Sequence, residues 1–138
     1  MTGILVITHG NLASTLIETL DFIMGKEQDR VLPLSIDIKE DPDNLRKKIK
    51  QGILNVSQDK GVLIFTDMFG GTPSNLAYSF LDEGKIEVIS GVNLPLLLKA
   101  VTARKKSMDL ETLANALVEH GKRSISLASG ILKGSKRS

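Results

Sequence analysis

No cysteine occurs among the 138 residues, which removes disulfides, thiolate nucleophiles and cysteine metal sites together. An intracellular, cytoplasmic address is the expectation that follows. Histidine is nearly as scarce, with only His9 and His120, so a zinc site would lack ligands. No apolar run approaches the roughly 18 residues of a membrane span. The first ten residues contain no basic segment leading a long apolar stretch, so no export signal is read there. An excess of one charge sign is also missing. Lys plus Arg number 18 against 16 Asp plus Glu, and a net charge of +2 is too small to suggest a nucleic acid partner or a strongly charged substrate. The glycine-rich stretch at 70–71 lacks the Gly-Lys-Ser/Thr ending of a P-loop, so direct nucleotide hydrolysis finds no support. No Gly-x-Ser-x-Gly elbow surrounds Ser74, which counts against a serine hydrolase built from Ser74, His9 and Asp67.

What is present is a chain 41% hydrophobic, enough for one compact domain over residues 1–130. Residues 131–138 carry Lys133, Lys136 and Arg137 with little apolar content, and read as a flexible basic tail.

Four short apolar runs, Gly3 to Thr8, Val31 to Ile36, Gly61 to Thr66 and Ile86 to Ser90, read as strands. Ile4-Leu5-Val6-Ile7 and Val62-Leu63-Ile64-Phe65 are apolar at consecutive positions, as in parallel strands covered on both faces, so these two should be central. Between the runs lie helical spacings: Leu12, Leu16, Leu20 and Ile23; Leu45, Ile49 and Ile53; Leu76, Ala77 and Phe80. Gly25, Gly84 and Asp41-Pro42 mark helix ends. Two further helices are predicted over Pro95 to Arg104 and Asp109 to His120. Ser124 to Ala128 alternates like an edge strand. Repeated strand and helix units predict an α/β fold with a mostly parallel central sheet and helices on both faces.

In such sheets ligands bind beyond the carboxyl ends of the strands. That rule selects Thr8-His9-Gly10-Asn11, Thr66 to Asn75 and Ser90 to Pro95. His9, at the tip of a central strand, can serve as nucleophile, base or metal ligand; from position alone it could equally be a polar residue that ends a strand. Asp67 occupies the matching place on the third strand. If those strands are neighbours, its carboxylate can hold one imidazole nitrogen and leave the other free to attack. Gly70-Gly71-Thr72-Pro73 reads as a helix start, whose unpaired N–H groups suit a phosphoryl group beside His9. Taken singly, that turn is ordinary cap chemistry; its conjunction with His9 and Asp67 on one rim carries the reading. His120 and the cluster Arg104, Lys105 and Lys106 read as solvated helix ends.

At these residues the sequence resembles the enzyme IIA domain of the mannose/fructose/sorbose family of the bacterial phosphoenolpyruvate-dependent sugar phosphotransferase system. The resemblance covers roughly residues 2 to 128. It rests on Val-Ile-Thr-His-Gly (6 to 10), Thr-Asp-Met-Phe-Gly-Gly-Thr-Pro-Ser-Asn (66 to 75) and Ile-Ser-Gly-Val-Asn-Leu-Pro-Leu-Leu (89 to 97). It implies a phosphotransferase component that acts through a phosphohistidine: His9 takes phosphate from the phosphocarrier protein HPr, with Asp67 hydrogen-bonded to it, and passes it to a separate enzyme IIB. Gly71, Thr72, Ser74 and Asn75 are the candidate phosphate-binding residues, and no metal or other cofactor is called for. The resemblance further implies a homodimer in which Ser124 to Ala128 joins the partner's sheet as an exchanged antiparallel strand. Contact with the membrane would come only through the transporter complex. Mannose-type members often carry large aromatics after the His-Gly pair and in the Asp loop, where this chain has Asn11 and Phe69, so sugar and partner choice stay open. Two other roles share the same chemistry: a regulatory protein switched by His9 phosphorylation, and the phosphocarrier of a dihydroxyacetone kinase system.

Overall fold

The computed structural model describes residues 1–137. In chain order the elements are β1 (Gly3–His9), α1 (Leu12–Met24), β2 (Val31–Ile36), α2 (Pro42–Val56), β3 (Val62–Thr66), α3 (Thr72–Tyr78), β4 (Ile86–Ser90), α4 (Leu94–Ala103), α5 (Leu110–Arg123) and α6 (Ala128–Arg137). The sheet order is β2-β1-β3-β4, with every neighbouring pair parallel. The two continuous apolar runs are thus the central strands.

Period-two alternation sorts their side chains between two cores. Ile4 and Val6 of β1 and Leu63 and Phe65 of β3 face α1, α4 and α5, packing with Leu20, Leu97, Leu113 and Leu117. Leu5, Ile7, Val62 and Ile64 face α2 and α3, packing with Leu45, Ile49, Ile53 and Leu76. Each such fully buried side chain contributes about 1.5–3 kcal/mol, and both faces of the sheet must be covered for the runs to be tolerated in water. Pro33 lies in β2, an edge strand, where a missing N–H can fall on the unpaired side.

Helix ends follow local chemistry. Gly25 adopts the left-handed conformation that stops α1. Asn93 and Asp109 cap α4 and α5 through bonds from Leu96 N at 2.9 Å and Thr112 N at 2.8 Å. The third helix ends at Tyr78, before Phe80, and turn bonds carry the chain on to Leu81.

One expectation is unmet within the single chain and one is corrected. In the single chain Ser124 to Ala128 does not form a strand: Ser124 caps α5, and α6 begins at Ala128. Strand backbone needs a neighbour to complete its hydrogen bonds, and in this single chain none of the four strands pairs with that segment. Arg104 is not a solvated helix end but is buried. Its guanidinium donates to the carbonyls of Thr2 at 3.2 Å and Asp29 at 2.6 Å, tying the start of β1 to the turn before β2. Lys105 and Lys106 are exposed, as expected. The predicted tail is helical as far as Arg137, with Ile131 to Gly134 exposed; Ser138 lies outside the described residues.

Gly3 lies against the end of α2, where an added Cβ would overlap the Val56 carbonyl. Gly3→Ala is expected to cost about 1–3 kcal/mol through overpacking of backbone on backbone. A urea midpoint equal to that of the wild type would show that α2 can move away without penalty.

Candidate functional site

The register of β1 on β3 pairs Ile7 with Thr66, so the chain leaves both strands side by side, at His9 and at Asp67. One carboxylate oxygen, Asp67 Oδ2, accepts from the His9 backbone N–H at 2.9 Å and from the ring at Nδ1, 2.7 Å away. The other, Oδ1, accepts from Met68 N at 2.9 Å. Burial pushes the Asp67 carboxyl upward, yet the backbone and ring bonds from His9, the attraction of a protonated ring and the Met68 N–H together hold it below its ordinary value of 3.8. An ionised carboxylate has no proton to give, so Nδ1 carries the hydrogen and the lone pair stands on Nε2. The Asp67 side chain is 11% exposed and that of His9 41%: the orienting group is shielded while the ring meets solvent. Nε2 makes no hydrogen bond among the described residues.

The approach to Nε2 runs over the loop between β3 and α3. A Cβ at Gly71 would come within 2.9 Å of His9 Cε1 and 3.6 Å of Nε2, so only glycine leaves this face of the ring clear. The loop is fastened from below. The buried Ser74 hydroxyl donates to the Met68 carbonyl, leaving Thr66 Oγ1 as the donor across the 2.6 Å contact between the two hydroxyls. On the other side, Thr8 Oγ1 accepts from Ala13 N at 2.9 Å, acting from the strand end as the cap of α1, and Ser35 donates to the Gly10 carbonyl. Asn11 makes no side-chain cap bond.

The structure therefore brings His9, Asp67 and Gly71 together. Thr72 and Asn75 sit exposed at the start of α3. The Ser74 side chain is held beneath the loop and makes no bond to His9. Asn75 N bonds the Gly71 carbonyl at 3.0 Å, so its side chain, not its N–H, faces outward for a ligand. The third segment shapes the rim: Gly91 N and Val92 N both bond the Thr66 carbonyl at 3.0 Å, and Ser90 Oγ meets the Tyr78 hydroxyl at 3.0 Å. Thr8, Thr66 and Ser35 were not singled out from the sequence. The available signal was a threonine closing each of the two buried strands. His120 lies apart, half-buried on α5 beside Pro95, Leu98, Lys99 and Thr102. No group of three or more potential metal ligands occurs among the described residues, and none of the helices described is long and apolar enough to cross a membrane.

The family described as "PTS system fructose IIA component" matches residues 3–118. The chain is 32% identical over 124 residues to the PTS system mannose-specific EIIAB component of Escherichia coli strain K12, a match that spans 89% of this chain and 38% of that protein. It is 30% identical over 130 residues to the PTS system fructose-specific EIIA component of Bacillus subtilis strain 168, covering 94% of this chain and 88% of that one. Among solved structures, phosphotransferase system component EIIA from Streptococcus agalactiae superposes with a TM-score of 0.83 at 26% identity, over 94% of this chain and 99% of the other. The PTS IIA protein associated with the fucose utilization operon of Streptococcus pneumoniae gives 0.82 at 28% identity, over 95% and 96%. Strand order, paired His9 and Asp67, and these likenesses agree: the chain belongs to the mannose/fructose/sorbose family of phosphotransferase system enzyme IIA components.

Proposed function

We propose that this chain is a cytoplasmic phosphoryl carrier that accepts phosphate from phospho-HPr on His9 Nε2 and passes it to an enzyme IIB. The observation that carries the reading is the 2.7 Å bond from Nδ1 to Asp67, with Nε2 left open across Gly71. In the forward step the Nε2 lone pair attacks phosphorus. The P–Nε2 bond forms as the bond to the donor's histidine nitrogen breaks, and the donor ring leaves with its electron pair. His9 then bears the phosphoryl group on Nε2 and its original proton on Nδ1, so the ring is cationic and the Asp67 carboxylate stabilises it without taking the proton. Transfer to the acceptor reverses these bond changes.

The phosphoryl oxygens are assigned to the turn from Gly71 to Asn75. The N–H groups of Thr72 and Ser74 lie in the first turn of α3, where no intrahelical acceptor exists, and the Asn75 side chain extends the donor set. The Ser74 hydroxyl serves the loop, so its contribution here is through the backbone. No metal or nucleotide enters the scheme.

Two copies are proposed to associate by exchange of Ser124 to Ala128. In the single chain Ile125 and Leu127 are 83% and 77% exposed; of the two sheet edges β2 carries Pro33, whereas β4 is bridged only at Ile86, by Asp82, which leaves the rest of β4 as the better acceptor of a new strand.

Incubation with phosphoenolpyruvate, enzyme I and HPr should add one acid-labile phosphoryl group to the wild type by intact mass and none to His9→Ala; no gain in the wild type would sink the carrier reading. Asp67→Asn keeps one acceptor but turns an amide N–H₂ toward existing donors, so the phosphorylation rate should fall by about 10²-fold or more. A rate within twofold would remove Asp67 from the mechanism. Since Asp67 titrates below 3.8 when folded, its ionised form stabilises the fold above the unfolded value, and that contribution is lost as pH falls through the folded one. The stability gap between wild type and Asp67→Asn should be level above about pH 5 and shrink below about pH 4; denaturant titrations from neutral to acid pH check this. Light scattering should give twice the 15.0 kDa of one chain, and a single-chain mass would exclude the exchange.

A further inference from the structure

Residues 68 to 70, between the orienting carboxylate and Gly71, make no backbone-to-backbone hydrogen bond among the described residues. Two glycines follow one another there, and Gly70 takes a left-handed φ of 85° with nothing within 4 Å of where a Cβ would stand. A stretch of that kind has little order of its own. The bond that reaches into it from α3 comes from the Ser74 hydroxyl, which donates to the Met68 carbonyl. Ser74 and Thr66 are both fully buried, and the Thr66 hydroxyl, 2.6 Å from that of Ser74, fixes its direction from the strand side. Met68 is also the residue whose N–H donates to Asp67 Oδ1 at 2.9 Å.

We infer that Ser74 is a positioning residue for phosphoryl transfer, holding the Asp67 carboxylate in its orientation through Met68, an inference that rests on the carrier reading above. Both bonds from His9 end on Oδ2. A carboxylate held at one oxygen can still twist, and the Met68 N–H on Oδ1 opposes that twist. Met68 can do so only while its own backbone is fixed, and the Ser74 hydroxyl fixes it. The chain of contacts runs from Ser74 through Met68 and Asp67 to Nδ1 of His9. The Ser74 hydroxyl itself makes no bond to His9 and, being buried, offers nothing to a docking protein. A misplacement of about 1 Å at a reacting group can cost on the order of 10²-fold in rate, so a small release of Met68 is felt at Nε2. The effect falls on the transfer step and not on binding of the donor.

The test measures phosphorylation of His9 across a concentration series of HPr, phosphorylated beforehand by enzyme I and phosphoenolpyruvate, for wild type, Ser74→Ala, Asp67→Asn, the double variant and Gly3→Ala. Ring ¹⁵N signals of His9 are recorded for each. Ser74→Ala keeps the backbone N–H at 74 and removes only the hydroxyl. It should lower the maximal rate by about tenfold, leave the half-saturating concentration within about twofold, and move the Nδ1 signal away from its wild-type position. On the Asp67→Asn background the same change should cost less than about twofold more, because two residues that act through one contact are not additive. Gly3→Ala lies at the opposite end of β1 from His9; it should lose stability and keep the wild-type rate, which separates positioning from a general loosening of the fold. A wild-type rate in Ser74→Ala overturns the proposal while leaving the carrier reading intact. So does a full tenfold loss added to that of Asp67→Asn, which would mean that Ser74 acts elsewhere than on Asp67. A loss confined to the half-saturating concentration, a rate loss with wild-type ring signals, or an equal rate loss in Gly3→Ala overturns it as well. Failure of the wild type to accept phosphate at any HPr concentration is a failure of the carrier reading itself, and is seen before any variant is compared.

Discussion

One carboxylate oxygen of Asp67 accepts both the backbone N–H and the ring Nδ1 of His9, and the rest of the site is arranged around that double contact. The backbone bond joins the ends of β1 and β3 where the regular ladder stops. The ring bond turns the imidazole so that its free nitrogen faces outward. Neither bond alone would suffice: without the first the strand end could splay, and without the second the ring could rotate or exchange tautomers. Both depend on β1 and β3 being adjacent, parallel and in the observed register. A slip of one residue would send the side chain to the opposite face of the sheet.

The polar groups that support this contact are satisfied in a consistent way. Buried hydroxyls at the ends of the two central strands reach forward into the loops: Thr8 accepts from the Ala13 N–H, and Thr66 donates to the Ser74 hydroxyl, which itself donates to the Met68 carbonyl. Burying an unpaired polar group costs about 1–3 kcal/mol, so these bonds keep the loops in place while their surfaces face solvent. The arrangement leaves the chemistry on a rigid framework, with Gly71 as the one position where bulk is excluded because the imidazole already occupies the space.

The two sides of the molecule differ in how complete they are. Both faces of the sheet are closed by helices, and the cores contain the large aliphatic side chains. The rim at His9 and the segment after α5 are among the places that hold exposed apolar residues, Met68 and Phe69 in one and Ile125 and Leu127 in the other. Stability therefore comes from the sheet and its covering helices.

The order of strands and helices, the central position of the two continuous apolar runs, and the candidacy of His9 and Asp67 were legible in the sequence, because periodicity and strand-end position are local properties of the chain. The three segments at 6–10, 66–75 and 89–97 were legible as a unit only through the family resemblance they carry. What local pattern could not settle depended on which groups meet in space. Ser74 looked like an anion ligand by its place in a helix start, yet folding puts its hydroxyl under the loop against Thr66. Arg104 looked like a solvated end, but the packing of α4 brings it against carbonyls 75 and 102 residues away in sequence. The alternation at Ser124 to Ala128 describes a strand only when a neighbouring strand supplies its hydrogen bonds. The sequence by itself determined the elements and the candidate pair of His9 and Asp67; tertiary structure decided which polar groups remain unpaired, because a hydrogen-bonding group already paired inside the fold is no longer available to a ligand.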